Sequence, residues 1–357
     1  MAPTATALKS EELALSVEEL SIEGNNPPKN YVVKDSESIN SSRLPLLEVP
    51  TIDIGLLCSS SSSFQVEEEL KKLRSALSSF GYIQAVNHGM STSFLDEVLE
   101  VTRRFFKLPL EEKKKYSREE NEIDGYGNDI VYTHNQTLDW NDRLYLHLLP
   151  ESIRKFEKWP QVPDNFRKIF LEFTEKLKIV NEVIVKAMAK SLKLEENCFL
   201  DQFGKNPIAL TRLNFYPPCP WPDRILAAKP HGDASGTTYL LQDKEVEGLQ
   251  VLKDEQWYRV PLTPDAMVFN VGDQLEIMTN GIFKSPVHRV ATNKERERMT
   301  LALFFSPELT SEIKPAIGLI DDKNPRLYNN IIDYGRNYFE QLQNGNKPID
   351  ALKVRRH

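Results

Sequence analysis

The chain is 357 residues long, 40% hydrophobic and 27% charged, with a formal net charge of −7 at pH 7. That is the composition of an ordinary globular protein, long enough for one large core or two modest ones. The mild acidity excludes a general electrostatic pull toward nucleic acid or an anionic membrane, and no apolar run reaches the roughly 18 residues of a membrane helix.

In chain order, residues 1–47 are rich in Ser, Glu, Asn and Pro and read as an extended arm, with a short helix in "LALSVEELSI". "VPTIDIGLL" (49–57) is the first strand signal, and the serine run 59–63 is a loop. Residues 65–79 carry Val66, Leu70, Leu73 and Leu77 on one helical stripe. "GYIQAVNHG" (81–89) is a short strand ended by a turn, and a helix over 91–108 begins at Ser/Thr cap candidates. The longest helix covers 165–193, with Phe166, Ile169, Phe170, Phe173, Leu177, Val180, Ile184 and Met188 on one face. After about residue 205 the segments become short, β-rich and separated by turn residues, the texture of a sandwich or barrel. A helical stretch over 324–343 closes the chain.

No internal repeat is present. The chain therefore divides into an arm (1–47), a helix-rich region (48–204), a β-core (205–312) and a C-terminal helix with tail (313–357), the helical half wrapped around the β-core as one unit. Cys58, Cys198 and Cys219 are too few and too scattered for a disulfide framework or a thiolate metal site. The start, "MAPTATALKSEEL", lacks the apolar stretch of a secretory signal. A cytoplasmic monomer, with no nucleic-acid or membrane partner, is expected.

The chemistry begins at His231-Gly232-Asp233. On a strand, His231 and Asp233 point to the same side, and taken alone the pair reads equally as polar punctuation. His288, in "SPVHRVATN", lies on another β-segment and supplies a second imidazole. Further on, "RMTLALFF" places Arg298, Thr300, Ala302 and Phe304 on one face and Met299, Leu301, Leu303 and Phe305 on the other. An arginine among apolar neighbours is costly to bury without an anion. Two histidines and one carboxylate leave open positions on an octahedral ion and suit non-haem Fe(II) and O2 chemistry. A 2-oxo acid can fill two of those positions, and the arginine with its hydroxyl partner can hold the acid's far carboxylate.

The same residues sit in a wider pattern. "FGYIQAVNHG", "FFKLPLEEKKKY", "LDWNDRLYL", "NFYPPCP" (214–220), "GLQVLKDEQWYRVPL", "NVGDQLEIMTNG" and "RERMTLALFFSP" together resemble the plant 2-oxoglutarate- and Fe(II)-dependent dioxygenases, over most of the chain after residue 48. The resemblance implies an α+β fold, a double-stranded β-helix (jelly-roll) core flanked by helices. It implies iron ligands at His231, Asp233 and His288, and 2-oxoglutarate held by Arg298, Thr300, Tyr216 and Asn214. The cofactor set is then Fe(II), 2-oxoglutarate and O2, with ascorbate as reductant. The usual Arg-x-Ser clamp of the family is here Arg298-Met299-Thr300, which keeps the hydroxyl and adds a methyl.

Within the family the pattern is similar to the branch that hydroxylates or O-demethylates alkaloids, phenolics and related specialised metabolites. An ascorbate-using oxidase of the same fold and a non-catalytic small-molecule binder are the rival readings. Candidate substrate contacts are Tyr126, Asn128 and Ile130 in a Gly-flanked loop, His134, the inward-facing Phe304, and Tyr328 in the aromatic stripe of the last helix. His88 reads as a turn histidine and His147 as packing. Asp139 and Asp142 read as caps or partners of Arg143.

Overall fold

The computed structural model describes residues 16–23, 26, 29–33, 39, 44–58, 63–119, 122–128, 136–343 and 347–355. Among them, eight strands form the larger sheet. With strands numbered in chain order, its sequence is β1 (Thr51–Asp53), β2 (Tyr82–Val86), β10 (Met267–Val271), β7 (Thr237–Leu241), β12 (Arg298–Ser306), β5 (Ile208–Tyr216), β4 (Asp142–Leu149) and β3 (Gly125–Gly127). Four more form the smaller sheet: β6 (Leu226–His231), β11 (His288–Ala291), β8 (Leu249–Lys253) and β9 (Gln256–Arg259). A two-stranded ribbon pairs β13 (Glu312–Ile313) with β14 (Ile331–Ile332). The two larger sheets face each other across a core that joins Tyr82, Tyr216 and Val268 of the larger to Ala227, Leu249, Val251 and Val290 of the smaller.

Nine α-helices lie among the described residues, and several of them cover the outer face of the larger sheet. They are α1 (Val17–Glu23), α2 (Ile54–Leu57), α3 (Phe64–Ser79), α4 (Thr92–Phe106), α5 (Leu110–Lys114), α6 (Phe166–Ser191), α7 (Leu200–Phe203), α8 (Asp273–Met278) and α9 (Tyr334–Gln343) in chain order, of which α3, α4 and α6 supply most of the covering surface. Helices α3 and α4 start at Ser63 and Ser91, whose side chains accept from Val66 N and Phe94 N at 3.3 Å. The eight apolar positions read as one face of α6 are all buried, with Phe166 and Phe170 stacked at 4.4 Å. Burying each such side chain contributes roughly 1.5–3 kcal/mol, which outweighs the absence of a side-chain cap on α6. Along β12 the two faces separate as the alternation requires: Met299, Leu301, Leu303 and Phe305 join the helix-covered core, and Arg298, Thr300, Ala302 and Phe304 face the smaller sheet.

Three readings change. The strand expected over 49–57 stops at Asp53, because its carboxylate accepts from Leu56 N and starts α2. The helix expected over 324–343 begins only at Tyr334; residues 324–333 are irregular apart from a bridge at Tyr328 and β14, as Asn324-Pro325 and the Asn pair 329–330 disfavour helix. Strand β4 was absent from the sequence reading, although Leu144, Leu146 and Leu148 alternate with half-buried Arg143, Tyr145 and His147. Residues 59–62 of the serine run lie outside the described residues.

The arm returns to the body of the protein at α1. Val17 and Glu18 donate their backbone N–H groups to the two oxygens of Asp142, each at 2.9 Å. The buried Lys113 pairs with Glu18 and donates to the Phe106 carbonyl at 2.9 Å. Asp142 thus caps a helix 124 residues away in the chain, instead of pairing with Arg143.

Candidate active site

His231 ends β6 and His288 begins β11, and the two are direct cross-strand partners. Their rings lie 4.3 Å apart at 50°. Each imidazole is oriented by the carbonyl two residues before it: His231 Nδ1 to Lys229 O at 2.7 Å, and His288 Nδ1 to Pro286 O at 3.2 Å. Both Nε2 atoms are left facing Asp233 Oδ1, at 3.8 and 3.7 Å. The other oxygen of Asp233 accepts from Thr238 Oγ1 and Asn270 Nδ2, both at 2.7 Å. One donor atom from each of the three residues lies within 4.8 Å of the other two.

Burial, then the neighbouring His288, pushes the His231 imidazole down to about 4 against the opposing pull of Asp233. Burial alone would raise Asp233, but His288, His231 and the two hydrogen bonds hold it below its ordinary value. Near neutral pH the set is therefore a neutral imidazole at His231 beside a carboxylate, the protonation that a ligated transition metal requires. Two imidazoles and one carboxylate with orientation already fixed fit a divalent ion such as Fe(II).

The second half of the site lies across the gap, on the larger sheet. Arg298 pairs with Tyr216, and Thr300 with Asn214, as two cross-strand pairs of β12 and β5. Asn214 Nδ2 donates to Thr300 Oγ1 at 3.2 Å, its own Oδ1 accepts from Asn141, and the Tyr216 hydroxyl lies 3.5 Å from Thr300 Oγ1. Arg298 is 3% exposed; its Nε donates to Val246 O at 3.0 Å and its guanidinium lies over the Tyr216 ring. Its two terminal nitrogens have no well-aligned acceptor. Burial lowers its pKa, partly offset by Tyr216 and Asp243. Room for the side chain comes from Gly248, where a Cβ would sit 3.1 Å from Arg298 Cδ and Nε. A buried cation with two open donors beside a hydroxyl is a receptor for a carboxylate, and the tail of 2-oxoglutarate fits it.

Comparison with known proteins decides the family. The 2OG-Fe(II) oxygenase superfamily profile matches residues 207–307, and the profile of the non-haem dioxygenase in morphine synthesis N-terminal region matches 49–164. Codeine O-demethylase of Papaver somniferum is 36% identical over 304 residues, 84% of each chain. Oxoglutarate-dependent flavonoid 7-O-demethylase 1 of Ocimum basilicum is 35% identical over 329 residues, covering 92% of this chain and 87% of that one. The chain belongs to the 2OG-Fe(II) oxygenases. A solved structure of JOX2 in complex with 2OG, Fe and JA superposes with a TM-score of 0.83 at 32% identity, over 96% of this chain and 98% of that one. As a member of the family the chain is a 2-oxoglutarate-dependent dioxygenase with a jelly-roll core, acting on a small molecule. No described helix is long and apolar enough to cross a membrane.

Beyond the clamp, the face of the larger sheet that carries Arg298 and Thr300 continues from β12 across β5 to β4. Phe304 is half-buried there, two rungs beyond Ala302. Arg143 and Arg212 lie over the ring of Tyr145 at 5.3 and 5.6 Å. Asp139 accepts from Lys229 N and Nζ at 2.9 and 2.6 Å, tying the edge of β6 just before His231.

Several candidate substrate contacts fall elsewhere. Tyr126 pairs with Leu144 on the helix-covered side, packed with Phe105 and Phe106, so the strand alternation turns it away from the chamber. Tyr328 is buried and donates to Glu276 on α8 at 2.6 Å, which makes it a brace. Asn128 lines a cavity of about 110 Å³ with Ser16, Glu19 and Asp142 beside α1, and also a smaller pocket with Arg143 and Tyr145, so it remains a candidate. Ile130 and His134 lie outside the described residues. His88 sits in its turn against Asp265 O, and His147 is held by Asp124. The sequence reading missed Thr238, Asn270 and Asn141. The polar Asn270 inside the apolar run "MVFNV" was the available signal.

Proposed function

We propose that His231, Asp233 and His288 ligate the iron and that Arg298, Thr300, Tyr216 and Asn214 hold 2-oxoglutarate, for the hydroxylation or O-demethylation of a small plant specialised metabolite. The convergence of the three donor atoms within 4.8 Å carries this reading, and the open guanidinium of Arg298 supports it. When bound, ferrous iron with 2-oxoglutarate supplies the O2 activation that inserts oxygen at a substrate C–H bond and releases succinate and CO2.

The protein's own tasks are positional. The two backbone carbonyls fix which imidazole nitrogens face the ion, Thr238 and Asn270 fix which carboxylate oxygen does, and the Arg298 pocket sets the register of the cosubstrate. Phe304 lines the substrate side of the chamber, with Tyr145 and Arg212 beyond it. Which C–H faces the iron decides the product: an oxidised O-methyl gives a hemiacetal that loses formaldehyde, any other carbon an alcohol. Relatives named as codeine and flavonoid O-demethylases favour an alkaloid or phenolic substrate.

Residues 48–204 are read as scaffold, contributing β1–β4 to the larger sheet, and 205–312 as catalytic core; the matches at 49–164 and 207–307 support that reading. The enzyme is read as a cytoplasmic monomer supported by ascorbate as reductant. The test is a panel of methoxylated and unmethylated plant metabolites with Fe(II), 2-oxoglutarate and ascorbate. The expected readout is a product gaining about 16 mass units, one oxygen, or losing about 14, one CH2, with one succinate per turnover. Product without succinate overturns the cosubstrate, and neither product nor 2-oxoglutarate decarboxylation overturns the enzyme reading.

A further inference from the structure

The turn 232–236, which carries Asp233, has each of its five carbonyls in a hydrogen bond. Four are held by one short segment at the start of α8. Asp273 N donates to Asp233 O at 2.8 Å, Gln274 N to Ser235 O at 3.2 Å, and Gly272 N to Gly236 O at 2.8 Å. Gln274 Nε2 donates to Ala234 O at 2.7 Å. The approach is close enough that a Cβ on Gly272 would lie 2.1 Å from Ser235 O.

The fifth carbonyl, Gly232 O, belongs to the residue between His231 and Asp233. It accepts from the hydroxyl of Tyr338 on α9 at 2.9 Å, across 106 residues. Tyr338 is 8% exposed and packs against Tyr334, whose hydroxyl donates to Asp273 Oδ2 at 2.6 Å. Burial first, then Asp233, raises the Tyr338 phenol above its ordinary value, so it remains a donor. This contact comes from beyond residue 307, where the oxygenase-core match ends.

We propose that Tyr338 is a positioning residue for the metal site: its hydroxyl pins the Gly232 peptide and so sets the angle between His231 and Asp233. The proposal rests on the reading of those residues as iron ligands. Rotation of the Gly232 carbonyl swings Asp233 relative to His231; α8 holds the carbonyls from Asp233 onward, and the Gly232 carbonyl itself is held by Tyr338. The C-terminal helix is thereby part of the metal site and not merely a cover over it.

Co(II) serves as an air-stable probe of the ferrous site, titrated into the metal-free full-length protein. Tyr338→Phe removes one oxygen and keeps the ring packing. It is expected to weaken Co(II) binding about 10-fold, within the range for outer partners of metal ligands. Tyr334→Phe removes a hydroxyl from the same helix but leaves Gly232 O held, and is expected to weaken binding less than about 3-fold. A Tyr338→Phe dissociation constant within about twofold of wild type overturns the proposal, as does equal weakening by both variants, which signals a general loosening of α9. Asp233→Ala separates the two levels: if it binds Co(II) as tightly as wild type, the ligand assignment itself fails, whereas loss there with no effect of Tyr338→Phe refutes only the role of Tyr338.

Discussion

The metal corner and the carboxylate clamp face each other across one chamber but are built on different scales. At the metal corner several orienting contacts are local: each histidine is set by the carbonyl two residues before it, and Asp233 by Thr238 five residues on, with Asn270 and Tyr338 adding contacts from 37 and 106 residues away. At the clamp they are distant: Arg298 is steadied by Val246, and Thr300 by Asn214 from 86 residues away. The open groups differ as well. The three donor atoms of the metal corner include two imidazoles and one carboxylate that compensate one another in part. The guanidinium of Arg298 is a buried cation whose terminal nitrogens have no well-aligned acceptor. A short motif therefore sets two of the three donors at the metal corner, with His288 brought in by the pairing of β6 and β11, whereas the clamp exists only once β5 and β12 have paired.

The largest effect that sharpens this contrast is at the metal corner. Asp233→Ala is expected to lower turnover more than about 1,000-fold and abolish Co(II) binding, because it removes the anionic ligand. Its far-UV circular dichroism should match wild type; retained turnover breaks the comparison at its first term. Arg298→Ala should raise KM for 2-oxoglutarate at least about 30-fold, in line with roughly 2–5 kcal/mol for a buried charge contact. KM for the organic substrate should move far less, and the reverse pattern in steady-state kinetics counts against the clamp.

Away from both corners, Phe170→Ala on α6 should cost about 3–5 kcal/mol in denaturant unfolding by opening a cavity under the larger sheet, while the folded fraction keeps its KM for 2-oxoglutarate. A smaller effect is pH-dependent and comes from the arm. Burial raises Asp142 to about 6, despite the N–H groups of Val17 and Glu18 and the nearby Lys113. A carboxyl raised in the folded state adds stability that is fully present below its unfolded value near 4 and is lost as pH rises through about 6. Asp142→Asn should therefore flatten the decline in stability between pH 4 and pH 6 by about 2 kcal/mol, read as the difference between variant and wild-type unfolding curves; parallel curves would contradict the assignment. The smallest change is Thr300→Ser, which keeps the hydroxyl that Asn214 contacts and should alter KM for 2-oxoglutarate by less than about threefold.

Much of the fold was legible where one periodicity ran long enough. The 3.6-residue stripe of α6 and the two faces of β12 came out of the sequence because a buried side there is uniformly apolar. Strand β4 is equally regular, but in sequence its Leu144, Leu146 and Leu148 are masked by the neighbouring polar cluster "LDWND". In sequence, Tyr126 lies in a Gly-flanked loop and Tyr328 in an aromatic stripe of the last helical stretch, and both read as pocket residues. Only strand pairing shows that Tyr126 points to the helices, and only α8 gives the Tyr328 hydroxyl its partner.

By itself the sequence determined which residues could ligate a metal and bind an anion, because those roles depend on side-chain chemistry and on alternation along single strands. The tertiary structure alone decided which of them meet. His231 faces His288 through strand pairing 57 positions apart in the chain, Asn141 reaches Asn214, and the hydroxyl of Tyr338 finds the Gly232 carbonyl across 106 residues. Contacts of that kind have no local signature. They form when buried polar groups that would otherwise lose their hydrogen bonds to water find partners in whatever element the packed sheets and helices bring alongside.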